Sequence, residues 1–120
     1  MTDNWEPFAG AQDKAKEAGA EAGRGSEGGH IFRDETHVLG ARITLERECH
    51  VAPYAITCGI YGWMFHTCFL GEEGKAVERY EAMKALIGDL LERAEGRSGD
   101  EEGQRRLMMD GCAQLVERFQ

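Results

Sequence analysis

The sequence predicts an α+β fold: a small antiparallel β-sheet of about three strands, followed by two antiparallel helices packed on one face, in the order β-β-β-α-α. Three observations carry this prediction. Residues 41–47 alternate between apolar and polar side chains. Residues 54–70 are dominated by β-branched and aromatic residues, which suit strands. From residue 73 onward the apolar residues recur every three or four positions, the period of an amphipathic helix.

The 120-residue length suits one domain. Glycine is in excess, at 16 residues where average usage gives roughly 8. Residues 1–29 hold six of these glycines and six alanines, and Met1, Trp5 and Phe8 are their only large apolar side chains. So little apolar surface does not offset the entropy of ordering a chain. Residues 1–29 are therefore read as a flexible Gly/Ala-rich tail, with a nascent helical turn near Ala11–Ala18 and with Trp5 and Phe8 as local anchors. Residues 30–120 are read as a single α+β domain.

Within that domain, His30–His37 is expected to be a short edge strand, although the adjacent Ile31 and Phe32 spoil its alternation. In the next strand, Ala41–Arg47, Ile43 and Leu45 share one face; Arg42, Thr44 and Glu46 share the other. Pro53 then biases Ala52 toward extended geometry. Tyr54–Leu70 is apolar on both of its faces, the mark of a strand buried on both sides. Gly59 and Gly62 imply either a bend in one long strand or a hairpin turning at Tyr61–Gly62.

A helix over Glu73–Glu95 follows from the spacing of Ala76, Val77, Tyr80, Met83, Ile87, Leu90, Leu91 and Ala94. Gly96 is its expected C′ residue. Ser98 with Glu101 fits a capping box, with Asp100 a competing N-cap. The second helix runs to about Phe119 with a stripe of Leu107, Met108, Cys112, Leu115 and Val116. Gly88 and Gly111 lie inside helices, where each costs about 1 kcal/mol relative to alanine; an aromatic ring or another backbone pressing close would explain them.

The formal charge is −8, and no Lys/Arg cluster exists to follow a phosphate backbone. Nucleic acid and anionic membrane surfaces are therefore not expected partners. A basic protein is the charged partner such a surface fits. No export leader and no membrane-length apolar run is legible, which gives a soluble, cytoplasmic expectation with four reduced cysteines.

Candidate chemistry is sparse. Cys58, His66 and Cys68 share one strand face and form a weak metal set, but no CxxC, HxxxH or HExxH spacing supports it. No metal or other cofactor is therefore expected; buried apolar cysteines and a hydrogen-bonded histidine are the favoured reading. Arg47, Cys49 and His50 form a weak thiol site. Asp34, Glu35, His37 and Glu46 form a weak acid–base group. The remaining set is Tyr61, Trp63, Phe65, His66 and Phe69, read as an interface or ligand surface. Because two helices cover one sheet face while the third strand is apolar on both, the favoured function is a small acidic interaction module without enzymatic activity, homodimeric through its aromatic sheet face. The alternative is a small-molecule-binding protein or enzyme with a pocket between sheet and helices around His66 and Trp63.

Overall fold

The computed structural model of the chain describes residues 4–8 and 23–120. The nascent helical turn expected near Ala11–Ala18 lies outside the described residues. The fold is an antiparallel sheet followed by two helices, but the sheet has five strands rather than about three: β1 (Trp5–Pro7), β2 (His30–His37), β3 (Ala41–Arg47), β4 (Tyr54–Ile60) and β5 (Met64–Leu70). Helices α1 (Glu73–Glu95) and α2 (Glu101–Arg118) follow. The strands lie in sequence order, each antiparallel to the next.

The two extra strands have separate causes. Residues 54–70 are a hairpin, not one bent strand. Gly62 takes a positive φ of 84°, which a side chain resists and glycine does not, and the Trp63 N–H closes the turn on the Ile60 carbonyl at 2.9 Å. The other strand, β1, comes from the segment read as tail. It pairs with the free side of β2, setting Trp5 opposite His37, and the two rings meet edge to face at 4.9 Å. Asn4 Nδ2 donates to Glu92 Oε1 at 2.8 Å, tying β1 to α1 as well. The broken alternation at Ile31–Phe32 is a register shift in β2. It turns Phe32 onto the helix side, where its ring meets Tyr54 edge to face.

The core lies between one sheet face and the helices. Ile43, Leu45, Ile56, Cys58 and Ile60 from the sheet meet Tyr80, Met83, Ile87, Leu90 and Leu115 from the helices, all of them buried. Truncating one such Ile or Leu to Ala costs about 2–5 kcal/mol. Both helical glycines mark close approaches. A Cβ at Gly88 would lie 3.2 Å from Trp5 Nε1, and one at Gly111 would strike the Leu90 side chain.

The helix connector departs from expectation in two details. Gly96 stays right-handed at φ −65°, so α1 unwinds through further turns at Arg97 and Ser98. Gly99, at φ 98°, takes the left-handed position instead. Asp100, not Ser98, caps α2 by accepting the Gly103 N–H at 3.1 Å.

Burial pushes the Cys58 thiol up to about 12, and raises Cys68 and Cys112 as well. Burial, then the hydrogen bond to Glu35, raises the Tyr80 hydroxyl. Unfolded, these thiols ionise from 9.0 and the phenol from 10.0; folded, they keep their protons. The stability they contribute is therefore whole below pH 9 and is lost as pH rises. Each group protonated only in the folded state lowers stability by about 1.4 kcal/mol per pH unit. Urea unfolding at pH 8 and pH 10 should show the alkaline sample weaker, and Cys58→Ala should flatten the difference. A second expectation concerns Gly88→Leu, which would displace Trp5. We expect about 1–3 kcal/mol of lost stability and a red shift of Trp5 emission in a Trp63→Phe background.

Candidate functional site

The outer sheet face, opposite the helices, divides into two halves. The β2–β3 half is covered by the chain itself. Residues 23–29 fold into a tight turn, closed by Gly25 N–H to the Gly29 carbonyl at 2.9 Å. Gly28 adopts φ 81° and presses against the His50 ring. Beneath this turn sits Glu46, fully buried. Its Oε1 accepts the backbone N–H groups of Gly29 at 2.9 Å and Glu27 at 3.2 Å. Its Oε2 has no hydrogen-bond partner among the described residues. Alongside, Asp34 holds Arg42 through two bonds of 3.0 and 2.7 Å. This pairing raises the guanidinium pKa, and Phe8 stacks on Arg42 at 3.8 Å.

The β4–β5 half is different. Antiparallel register sets Gly59 against Phe65, Thr57 against Thr67 and Ala55 against Phe69. Phe65 lays its ring over Gly59, where a Cβ would lie 2.7 Å from it, yet remains 81% exposed. Phe69 is 41% exposed and Tyr61, at the turn, 55%. The Thr57 and Thr67 hydroxyls bond to each other at 3.1 Å between the two phenylalanines. No Asp, Glu, Lys or Arg occurs from Tyr54 to Leu70.

The five residues singled out from the sequence therefore separate. Phe65 and Phe69 share the outer face, with Tyr61 beside them at the hairpin tip. Trp63, also at the tip, borders a shallow depression of about 190 Å³ with Leu91, Ala94 and Met108 of the helices. His66 faces the helices. Its Nε2 lies 2.6 Å from the Phe119 carbonyl; a carbonyl only accepts, so Nε2 carries the proton and donates. Among the described residues, the depression bordered by Trp63 does not include His66.

The weaker sets also separate. Cys58 and His66 are cross-strand partners, while Cys68 points its thiol at Met83 Sδ, 3.7 Å away. Among the described residues, no three His, Cys, Asp or Glu side chains are grouped to hold a metal. Burial, then the charge of Glu46, pushes Cys49 up to about 11, the opposite of what an activated thiol needs. Asp34 and Glu46 serve the outer face. On the helix face, Glu35 accepts from Tyr80 at 2.7 Å and pairs with Lys84 at 2.8 Å. His37 Nδ1 accepts the Leu39 N–H at 3.1 Å.

Sequence reasoning missed the buried role of Glu46 and the Glu35–Tyr80–Lys84 cluster. The spacing of Gly25, Gly28 and Gly29 was the legible trace of the first: only side-chain-free positions let backbone close over a carboxylate. The second left no trace, since Glu35 lies 45 or more residues before Tyr80 and Lys84 along the chain.

Glu46→Ala should leave two inward N–H groups unpaired and cost roughly 1–3 kcal/mol, read by urea unfolding. Glu46→Gln keeps an acceptor and should cost less. It also removes the negative charge beside Cys49, so the thiol pKa should fall. Alkylation of Cys49 at mildly alkaline pH, followed by mass spectrometry, should then run faster than in the unchanged chain.

No helix among the described residues is long and apolar enough to cross a membrane. Neither the family models, the curated proteins nor the solved structures searched yields a match to this chain.

Proposed function

We propose that this chain is an interaction module that joins a second copy of itself through the aromatic outer side of the β4–β5 hairpin. One observation carries the proposal: Phe65, 81% exposed, sits with Phe69 and Tyr61 in a seventeen-residue stretch free of formal charge. Moving a phenylalanine side chain from water into an interface is favourable by roughly 1.5–3 kcal/mol. Exposed aromatic patches of this kind mark association surfaces. Aromatic residues are enriched and acidic ones depleted at interface centres, and the hairpin has that composition.

The charge of the chain adds a condition. Two copies each carrying −8 repel, so contact is favourable only where the surface is uncharged. The 54–70 hairpin meets that condition. Salt screens the repulsion over about 8–10 Å at 0.1–0.15 M, so added salt strengthens self-association. A basic protein partner behaves in the opposite way, because salt weakens its attraction to an acidic surface.

A second reading, small-molecule binding, is favoured by a depression of about 350 Å³ on the outer face. Arg24, Arg42, Tyr61 and Phe65 border it. Two guanidiniums and two aromatic rings suit an anionic aromatic molecule. This depression lies across the sheet from the helices, so it replaces a site around His66 and Trp63.

Light scattering at micromolar concentration separates these outcomes. A dimer that tightens with salt supports self-association, and Phe65→Lys should return it to monomer with thermal stability almost unchanged. A monomer at every salt concentration removes it. Binding of 1-anilinonaphthalene-8-sulfonate that Arg42→Ala abolishes in a monomeric chain would favour the second reading.

A further inference from the structure

The edges of the sheet are unequal. Strand β1 closes one edge with three residues, two of which are Glu6 and Pro7. A short strand, a charge and a proline are the usual protections of an edge against pairing with another chain. Strand β5 closes the other edge with seven residues and has none of those protections. Among the described residues, no strand pairs with its outward side. Its side-chain bonds, His66 to Phe119, Thr67 to Thr57 and Cys68 to Met83, do not occupy its outward backbone groups, which pair with no strand among the described residues.

The order of residues in β5 adds a second, independent observation. Read outward from Thr67 in both directions, Phe65 mirrors Phe69 and Met64 mirrors Leu70, with His66 and Cys68 between them. When a strand pairs antiparallel with a copy of itself, residues equidistant from the two-fold axis stand opposite one another. An axis through Thr67 therefore sets Phe65 against Phe69 on the outer face and Met64 against Leu70 on the helix face. Moving the axis to Cys68 sets Phe65 against Gly71. Moving it to His66 sets Phe65 against Thr67. Of these three registers, only the one centred on Thr67 pairs both phenylalanines and keeps the half-buried Met64 and Leu70 together.

We infer that β5 pairs antiparallel with β5 of a second copy about a two-fold axis through Thr67, merging the two sheets into one continuous sheet. This rests on the self-association proposed above and specifies its register. Two facts favour a second copy over another occupant. The mirrored residue order matches itself, and a strand without acidic residues gives a basic partner no charge to recognise. The pairing also places cross-strand aromatic contacts between copies, covering the most exposed large apolar side chain among the described residues.

The test uses the full chain with Cys49→Ser, so that the remaining native thiols are buried. Across an antiparallel pair, opposed Cα atoms lie about 4.5–5.5 Å apart, within reach of a disulfide. Thr67→Cys should therefore form a covalent dimer on mild oxidation. Glu6→Cys, on the protected edge, should not. Thr67→Lys puts two like charges at the axis and should shift light scattering from dimer to monomer with an unchanged circular dichroism spectrum. The Phe65→Cys, Phe69→Cys double variant checks the same register should Thr67→Cys fail to fold. A dimeric chain that cross-links at neither place overturns the register and leaves self-association standing. A persistent Thr67→Lys dimer does the same. A chain that is monomeric throughout overturns both.

Discussion

Two helices joined by a short turn shield one face of a sheet, and a sheet has two. That constraint organises the rest of the molecule. The helix side is settled by ordinary means: Tyr80, Met83, Ile87 and Leu90 of α1 meet Ile43, Leu45, Ile56 and Ile60 in one buried cluster. What distinguishes this chain is how it treats the other side. Over β3 it lays a glycine-rich turn, and backbone N–H groups then face a region that excludes water. Such groups are costly to bury unpaired. Glu46 supplies the acceptor. A carboxylate is an expensive residue to bury, and its presence there is accounted for by the two N–H groups it receives. Over β4 and β5 no equivalent cover exists among the described residues, and the side chains there are aromatic.

The two edges follow the same division. Near β1, the chain invests in closure: Trp5 against His37 and Gly88, and Asn4 against Glu92. Together these contacts join the edge to a helix as well as to the sheet, so β1 is held from two directions despite its three residues. Near β5, the side-chain contacts of His66, Thr67 and Cys68 all turn toward the chain's own helices and β4, and among the described residues no strand pairs with the outward side. One edge is finished within the chain and the other is not. Because the unfinished edge adjoins the uncovered half of the outer face, a single partner would settle both.

The legible parts of the fold were those with local causes. The period of the apolar residues placed both helices; Gly88 announced an aromatic ring, Trp5, whereas Gly111 receives the aliphatic side chain of Leu90 rather than a ring or another backbone. The hairpin was one of two alternatives, since a double-sided apolar run looks the same whether it bends at Gly62 or turns there. Strand β1 was missed because its stability is not in its sequence. Three residues flanked by polar and glycine-rich chain form a strand only because distant residues receive Trp5. The candidate site was legible in part. Aromatic composition picked out Phe65 and Phe69, but strand parity alone did not reveal that His66 on the same strand is committed to the C-terminal carbonyl of Phe119.

The polar groups singled out as candidates for chemistry are, among the described residues, committed within the fold. A catalytic group needs a reactive valence directed at a space a substrate enters. Here Asp34 is occupied by Arg42, Glu35 by Tyr80 and Lys84, and His66 by Phe119. Cys49, the one thiol not fully buried, is driven away from its reactive form by burial and by Glu46. Each of these groups has been spent on holding one element against another. The exposed surface is the reverse in character: phenylalanine rings and a tyrosine, on a stretch without formal charge in a chain of net charge −8. The net negative charge of the remainder opposes the approach of a second copy at other places. In the self-association proposed above, a neutral seam on a repulsive surface would favour contact through that seam, giving a small chain specificity without a large interface.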